Sequence, residues 1–484
     1  MNNMNLSPQG AEFKARSFAR LKGGLLVGIL MAVAGVSQAQ NASPEPSQGN
    51  RAANAAAAEG TALTWYGITL YGIVDIGLQY ESHGAPFSDY FPAGSADIVQ
   101  KNSNNSQTGA TPSNLSQSRV GLQGSEPLQV ADWSGVFKIE TFFNPQSGDI
   151  SDALKSLVQN NGRALNVQTT NLDSSIAGQA FQQSFVGFSS PTYGTLTFGR
   201  QNTVLADGIY KYDPQGASQA FSLIGLSGTT AGGGDTEDRR LDSSLKYVAQ
   251  FSNVHVGAEY KFNGSRGSAS TASEFSVGYE MAGASIDAYY THINDAVSAA
   301  ALSAAQVAEL PGLGFSPSNS LAATISDNTT FAVMGMYGFG PVKLFAGYEH
   351  IRFENPSDPI EPGFDNIGGY KLAFVNNTAF PNDKILQVYW AGAKYNVGKL
   401  ELTAAYYGYR QNSYADGANT GCTTTKASSC SGTETAVSIS GVYHFTKRFD
   451  AYAGAMYTTV EDGLANAYLT RNDIDPTIGV RFRF

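Results

Sequence analysis

Apolar and polar residues alternate along this chain in sixteen short stretches. The run Val254-His255-Val256-Gly257-Ala258-Glu259-Tyr260-Lys261-Phe262 shows the pattern most clearly: even positions are apolar, odd positions polar or glycine. Successive side chains on a strand point to opposite faces. One face of such a strand meets hydrocarbon or a core, and the other meets water. Comparable stretches lie near 66–80, 116–125, 132–143, 181–190, 195–202, 240–249, 254–262, 274–281, 284–293, 329–339, 342–353, 384–395, 400–410, 433–445, 448–458 and 476–484. Their connectors are short and long by turns. Glu126-Pro127, Pro191-Thr192-Tyr193-Gly194, Ala282-Gly283 and Gly340-Pro341 are tight; the segments near 144–180, 203–239, 294–328 and 354–383 are long.

Each stretch has roughly the nine to eleven residues that a tilted membrane-spanning strand needs. Closing such strands on themselves satisfies every backbone donor and acceptor without water. Short periplasmic turns with longer extracellular loops are the rhythm of outer-membrane barrels, and a soluble sandwich has no reason to sort its loops this way. The pattern therefore predicts an all-β fold: a transmembrane antiparallel β-barrel of sixteen strands with an oily outside and a wet interior. An even strand count leaves both ends on the periplasmic side. Tyr80, Phe142, Phe198, Tyr260, Phe339, Tyr395 and Phe445, near strand ends, are placed for interfacial girdles. Transport is favoured over catalysis.

Composition agrees. Only 14% of the residues are charged, and the mean hydropathy of -0.19 is too polar for a helical membrane protein. Lys14, Arg16, Arg20 and Lys22 precede an apolar stretch at 23–36 that is too short to span a bilayer, and Ser37-Gln38-Ala39 supplies small residues for cleavage. Residues 1–39 read as an export leader. The polar, low-complexity stretch at 40–62 reads as a periplasmic tail, and 63–484 as the barrel. The whole chain carries a net charge of -10; without the leader 26 basic residues face 39 acidic ones, net -13. That acidity argues against nucleic acid as a partner. In an exported protein Cys422 and Cys430 are expected to pair as a local disulfide.

Several segments then resemble one family. Leu70-Tyr71-Gly72-Ile73-Val74-Asp75, Ser118-Arg119-Val120-Gly121-Leu122, Phe185-Val186-Gly187-Phe188 with Tyr193-Gly194-Thr195-Leu196-Thr197-Phe198-Gly199-Arg200-Gln201, Arg240-Leu241-Asp242-Ser243-Ser244 and the closing Val480-Arg481-Phe482-Arg483-Phe484 resemble the general porins of Gram-negative bacteria, in the Burkholderia-like and Neisseria-like branch. The resemblance implies a homotrimer in the outer membrane, in contact with its lipid and lipopolysaccharide. It also implies passive diffusion of small hydrophilic solutes and ions, no cofactor, and a third extracellular loop folded into the pore.

A pore selects by width and by the charge at its constriction. Alternation turns Arg119, Lys138, Glu140, Asp75, Arg240, Asp242 and Lys246 inward. Arg119 and Arg240 match the family's basic constriction residues, as does Arg200, whose phase at a strand end is ambiguous. The family's additional arginine before Phe-Val-Gly is replaced by Gln182 and Gln183. Asp207 and Asp213 of the loop at 203–239 are expected to face the arginines, although either could be an ordinary solvated loop carboxylate. Two rival functions remain. A substrate-specific porin for sugars, phosphate or organic acids would use an aromatic track, for which Tyr71, Tyr289 and Tyr407 are candidates. A barrel hydrolase would need a Ser-His or Asp-His arrangement, and none stands out around the five histidines.

Overall fold

The computed structural model describes residues 63–90, 98–171, 180–224, 239–262, 271–365, 367–417, 421–422, 425 and 427–484. The leader expected over 1–39, the tail over 40–62, and Gly232, Gly233, Gly234, Asp235, Glu237 and Asp238 of the third loop lie outside them.

Twenty strands join in one sheet, arranged as a closed barrel of sixteen staves. β1 (Leu63–Trp65) forms a short hairpin on β2 (Ile68–Gly84). β3 (Asn105–Pro112) and β4 (Arg119–Pro127) share one interrupted stave beside β2. There follow β5 (Ser134–Phe142), β6 (Phe181–Ser190), β7 (Gly194–Asn202), β8 (Arg240–Phe251), β9 (Val254–Lys261), β10 (Ala272–Met281), β11 (Ala284–Ala300), β12 (Ser320–Phe339) and β13 (Val342–Glu354). β14 (Lys371–Asn376) runs parallel to the top of β12, outside the barrel order. β15 (Lys384–Val397), β16 (Leu400–Gln411), β17 (Gly432–His444) and β18 (Phe449–Asp462) lead to β19 (Asn472–Ile474) and β20 (Thr477–Arg483), which share the last stave. β20 pairs with β18 on one side and β2 on the other, so the sheet has no free edge there.

The two faces follow the predicted phase over most of the wall. Val186, Val277, Ile286, Phe331, Ile439 and Ile478 point outward and are each more than half exposed, while Lys138, Glu140, Glu259 and Glu274 are buried inside. The seam is charged on its inner face. Arg481 sits opposite Asp450 and Asp75 in the two ladders, and the Asp450 carboxylate accepts from Arg481 Nε at 3.0 Å, Arg481 Nη2 at 2.7 Å, His444 and Arg483.

Three features depart from the pattern. The hairpin expected over 284–293 and 329–339 extends much further, to Ala300 and back from Ser320. A register shift between Ile293 and Ala296 breaks the period. Above it Val297, Ala299, Leu321, Ala323 and Ile325 pack with Leu154, Leu157, Ile360 and Leu372 from other segments, so burial still alternates there, but the covered side is apolar rather than polar. Secondly, the stave of β3 and β4 breaks at Ser113, whose φ is +62°, and residues 113–118 turn into the lumen over Asp75. Thirdly, the inner wall from β12 to β18 is not polar throughout. Met334, Ile351, Val388, Trp390, Tyr407 and Met456 form a packed core with Ile98, Phe380 and the third loop. A lumen wet on every side, as the alternation suggested, is corrected: this sector is filled.

The third loop supplies much of that filling. It begins with helix α1 (Val204–Tyr212), capped by Thr203 Oγ1, which accepts from Ala206 N at 2.9 Å. Val204, Leu205, Ile209 and Tyr212 are buried against the wall. Trp390 Nε1 donates to Tyr212 O at 3.1 Å, Tyr407 OH donates to Asp213 Oδ1 at 2.6 Å, and Gln215 bridges Ser438 and Ser440. The loop then passes on to β18 and the inward turn at 113–118, where Ala220 N donates to Asn114 O at 2.9 Å. Glycine on the strands makes this approach possible. A Cβ at Gly392 would stand 2.5 Å from Pro214 Cγ, and one at Gly454 would stand 2.7 Å from Phe221 Cε1.

Removing one tether tests this packing. Tyr407→Phe deletes the phenol donor of a buried carboxylate, a loss of about 1–3 kcal/mol. Single channels of this variant should show a larger and noisier conductance than the parent, with the barrel still folded by its heat-shifted gel migration. Unchanged conductance and noise would mean that the bond does not hold the loop.

Candidate functional site: the charged constriction

Four adjacent strands build one wall of the narrow zone. Period-two alternation brings Tyr71 of β2, Arg119 of β4, Lys138 and Glu140 of β5 and Gln183 of β6 to one inner patch. The Glu140 carboxylate is the centre. It accepts from Tyr71 OH at 2.9 Å and Gln183 Nε2 at 3.1 Å. Lys138 Nζ lies at 3.6 Å and Arg119 Nε at 3.9 Å. Buried carboxylates persist only when paired and hydrogen-bonded, and Glu140 is both. One of the two glutamines that replaced the expected arginine thus serves the acid of the cluster.

Above this patch the guanidiniums stack on an aromatic ring. Phe142 has Arg240 5.0 Å from its ring centroid and Arg119 at 6.0 Å. A cation over an aromatic face is attracted by the ring quadrupole. Arg239, absent from the sequence-based expectations, adds a third guanidinium. It closes the third loop on itself: Thr203 N donates to Arg239 O at 3.1 Å, and Arg239 donates to Tyr210 OH at 3.2 Å and Ile224 O at 3.0 Å. Tyr210 projects from α1 into this group. Burial alone would raise its phenol; the positive charges of Arg239, Arg240 and Arg119 outweigh that and hold it below its ordinary value. Arg239 and Tyr210 were missed because loop residues carry no period from which a direction can be read.

The remaining expected residues divide. Lys246 points inward and donates to Asp207 Oδ2 at 2.6 Å and Asn202 O at 2.8 Å, so Asp207 stands beside a lysine. Asp213 does not face the arginines. It accepts from Tyr407, from Gln215 N at 3.2 Å and from Ala217 N at 2.5 Å; burial pushes its carboxyl up, against these bonds. It is a peg of the loop. Asp75 is on the inner face but covered, taking Ser116 N at 2.7 Å, Leu115 N at 3.1 Å and Tyr452 OH at 2.5 Å.

Asp242 and Arg200 require a correction of phase. The β7–β8 ladder steps from Gly199/Ser244 to Gln201/Leu241, and Ser243 has φ +50°. This bulge places two residues opposite one and exchanges the faces of Leu241 and Asp242, while Arg240, at the strand's end, stays buried over Phe142. Leu241, expected outside, is buried with Ala272, Ile293 and Ala296. Asp242 is turned to the other face and pairs with Arg200 Nη1 at 2.5 Å; Arg200 Nε also donates to Phe181 O at 3.1 Å. Outside this zone, Cys422 and Cys430 are disulfide-bonded with Cα atoms 5.2 Å apart.

A closed barrel crossed by its own loop beside a cluster of inward charges is the architecture of a diffusion channel, and comparison with known proteins decides the family. The Gram-negative porin family model matches residues 27–463. The chain belongs to the Gram-negative porin family. It is thus an outer-membrane β-barrel and a porin channel. It is 26% identical over 323 residues to an outer membrane porin protein of Bordetella pertussis, covering 64% of this chain and 72% of that one. Among solved structures, the anion-selective porin from Comamonas acidovorans superposes with a TM-score of 0.55 at 17% identity, over 86% of this chain and 99% of that one. OmpT of Vibrio cholerae in its trimer form gives 0.52 at 16%, over 86% and 99%.

The Tyr210 arrangement makes a signed prediction. Raising the pH ionises this phenol earlier than an ordinary tyrosine, adding a negative charge among the arginines. Anion preference, read from the reversal potential, should fall at a pH below that at which an ordinary tyrosine ionises, and Tyr210→Phe should shift that fall to higher pH. The same profile in both proteins would remove Tyr210 from the pore's electrostatics.

Proposed function

We propose that this porin is a general diffusion channel for small hydrophilic solutes and ions, with a constriction that favours anions. The observation that carries this reading is the charge balance of the wall facing the third loop. Among the described residues, Arg119, Lys138 and Arg240 gather there around Glu140, Arg239 lies beside Tyr210 and Lys246 beside Asp207, so five cations face two carboxylates. Across a wet pore such charges act at high effective dielectric and under salt screening. They bias passage without holding a solute tightly. The anion selectivity named for the Comamonas protein accords with this reading.

A substrate-specific sugar channel is less well supported. Its aromatic track would need accessible rings with free hydroxyls. Tyr71, Tyr289 and Tyr407 are all buried, and their hydroxyls are bonded to Glu140, Asp287 and Asp213. We also propose that the barrel works as a homotrimer, in line with the trimer form solved for the Vibrio cholerae protein. A barrel hydrolase finds no support from the family.

Arg119→Gln and Arg240→Gln, each measured in planar bilayers under a salt gradient, should move the reversal potential towards cation preference. The double variant should move it further. No shift in either would place the filter elsewhere. Saturable block by one sugar or organic acid would instead favour a specific channel.

A further inference from the structure

The periplasmic turns are chemically unequal. Among the described residues, the short turns at 190–194, 252–253, 282–283 and 340–341 carry no charge, and the turn at 126–133 carries two acids, Glu126 and Asp132. The two neighbouring turns at 397–400 and 445–448 carry three cations, Lys399, Lys447 and Arg448; the adjacent acid, Glu401, is paired with Lys394 at 2.7 Å. This concentration occurs in a chain of net charge -10.

The two turns are fastened together. Lys399 Nζ donates to Phe445 O at 3.1 Å, and His444 N donates to Lys399 O at 2.9 Å. Arg448 N and Phe449 N both donate to Thr446 Oγ1, at 3.1 and 3.0 Å. Arg483 N donates to Arg448 O at 2.8 Å, which ties the last strand to the same turn. The backbone that carries the cations is therefore fixed.

Immediately above, a row of rings marks the level of the membrane boundary. Tyr443 and Phe445 have centroids 4.9 Å apart, Phe445 and Phe449 5.8 Å, and Phe449 and Phe482 6.4 Å. Tyr443, Phe445 and Phe482 are exposed on the outer face. Aromatic side chains sit at headgroup level, and basic residues just beyond that level attract anionic lipid. We propose that the turns at 397–400 and 445–448, with this aromatic row, form a binding site for an anionic glycerophospholipid of the periplasmic leaflet. The acyl chains lie along Tyr443, Phe445 and Phe482, and the phosphodiester meets Lys399, Lys447 and Arg448. Phosphate suits this set because arginine offers a planar fork and lysine a point charge. The site stands apart from the constriction and does not depend on the channel's ion preference.

Native mass spectrometry of the detergent-solubilised full chain, titrated with phosphatidylglycerol or phosphatidylcholine, tests the site. The parent should retain phosphatidylglycerol at least tenfold better. Lys399→Gln/Lys447→Gln/Arg448→Gln together should bring the two lipids to parity, and Lys399→Arg/Lys447→Arg/Arg448→Lys should keep the preference. Lys447→Gln alone changes an exposed turn residue; it should weaken the preference and serves as the readout if the triple variant does not fold. Equal retention of both lipids by the parent overturns the proposal. So does a preference that survives both neutralising variants, or selective retention of acidic cell-wall fragments in place of phosphatidylglycerol.

Discussion

In hydrocarbon every backbone N–H and C=O must find a partner within the protein, because water cannot supply one. The rest of this structure depends on that constraint. It compels the sheet to close, and closure depends on β20, which pairs with β18 and β2 at once. The seam is reinforced inside by Arg481 and Arg483 around Asp450. Removing either side of such a buried pair leaves an uncompensated charge, whose cost exceeds what the intact pair contributes. The ring is thus held by backbone pairing, with the charges specifying which strands meet.

Closure creates an interior, and the third loop decides how much of it remains open. The loop is not draped loosely across the pore. α1 is packed on apolar side chains, Trp390 and Tyr407 hold the turn that follows, and Gln215 and Ala220 fasten the chain to β17 and to the inward turn at 113–118. The core of this protein is therefore partly inside the barrel, between wall and loop. That packing confines the charged passage to the side of β2 to β8, where Arg119, Lys138, Glu140 and Arg240 converge.

The charged wall illustrates how far a linear pattern reaches. Arg119, Lys138, Glu140 and Lys246 lie on stretches with no change of phase between them and their outward neighbours, and their inward direction could be counted off from Val120, Leu122 and Tyr247. Arg200 and Asp242 could not be placed that way. The bulge at Ser243 adds one residue to a strand and exchanges the faces of Leu241 and Asp242, and nothing in the local composition announces it. Asp75 was given the correct face but the wrong surroundings, since residues 113–118 fold over it from what reads as ordinary strand. Tyr210 and Arg239 lie in a loop, where no period assigns a direction at all.

Strand number, loop order and the outward face were set by the chain itself, because period-two alternation and turn spacing are local properties that a membrane converts directly into a wall. The interior was decided by tertiary structure alone. Whether Asp213 faces the pore or pegs the loop, whether the β12–β18 lining is wet or packed, and which basic groups surround Phe142 all depend on contacts between residues far apart in sequence. Those contacts form only after closure brings opposite sides of the barrel within reach of one loop.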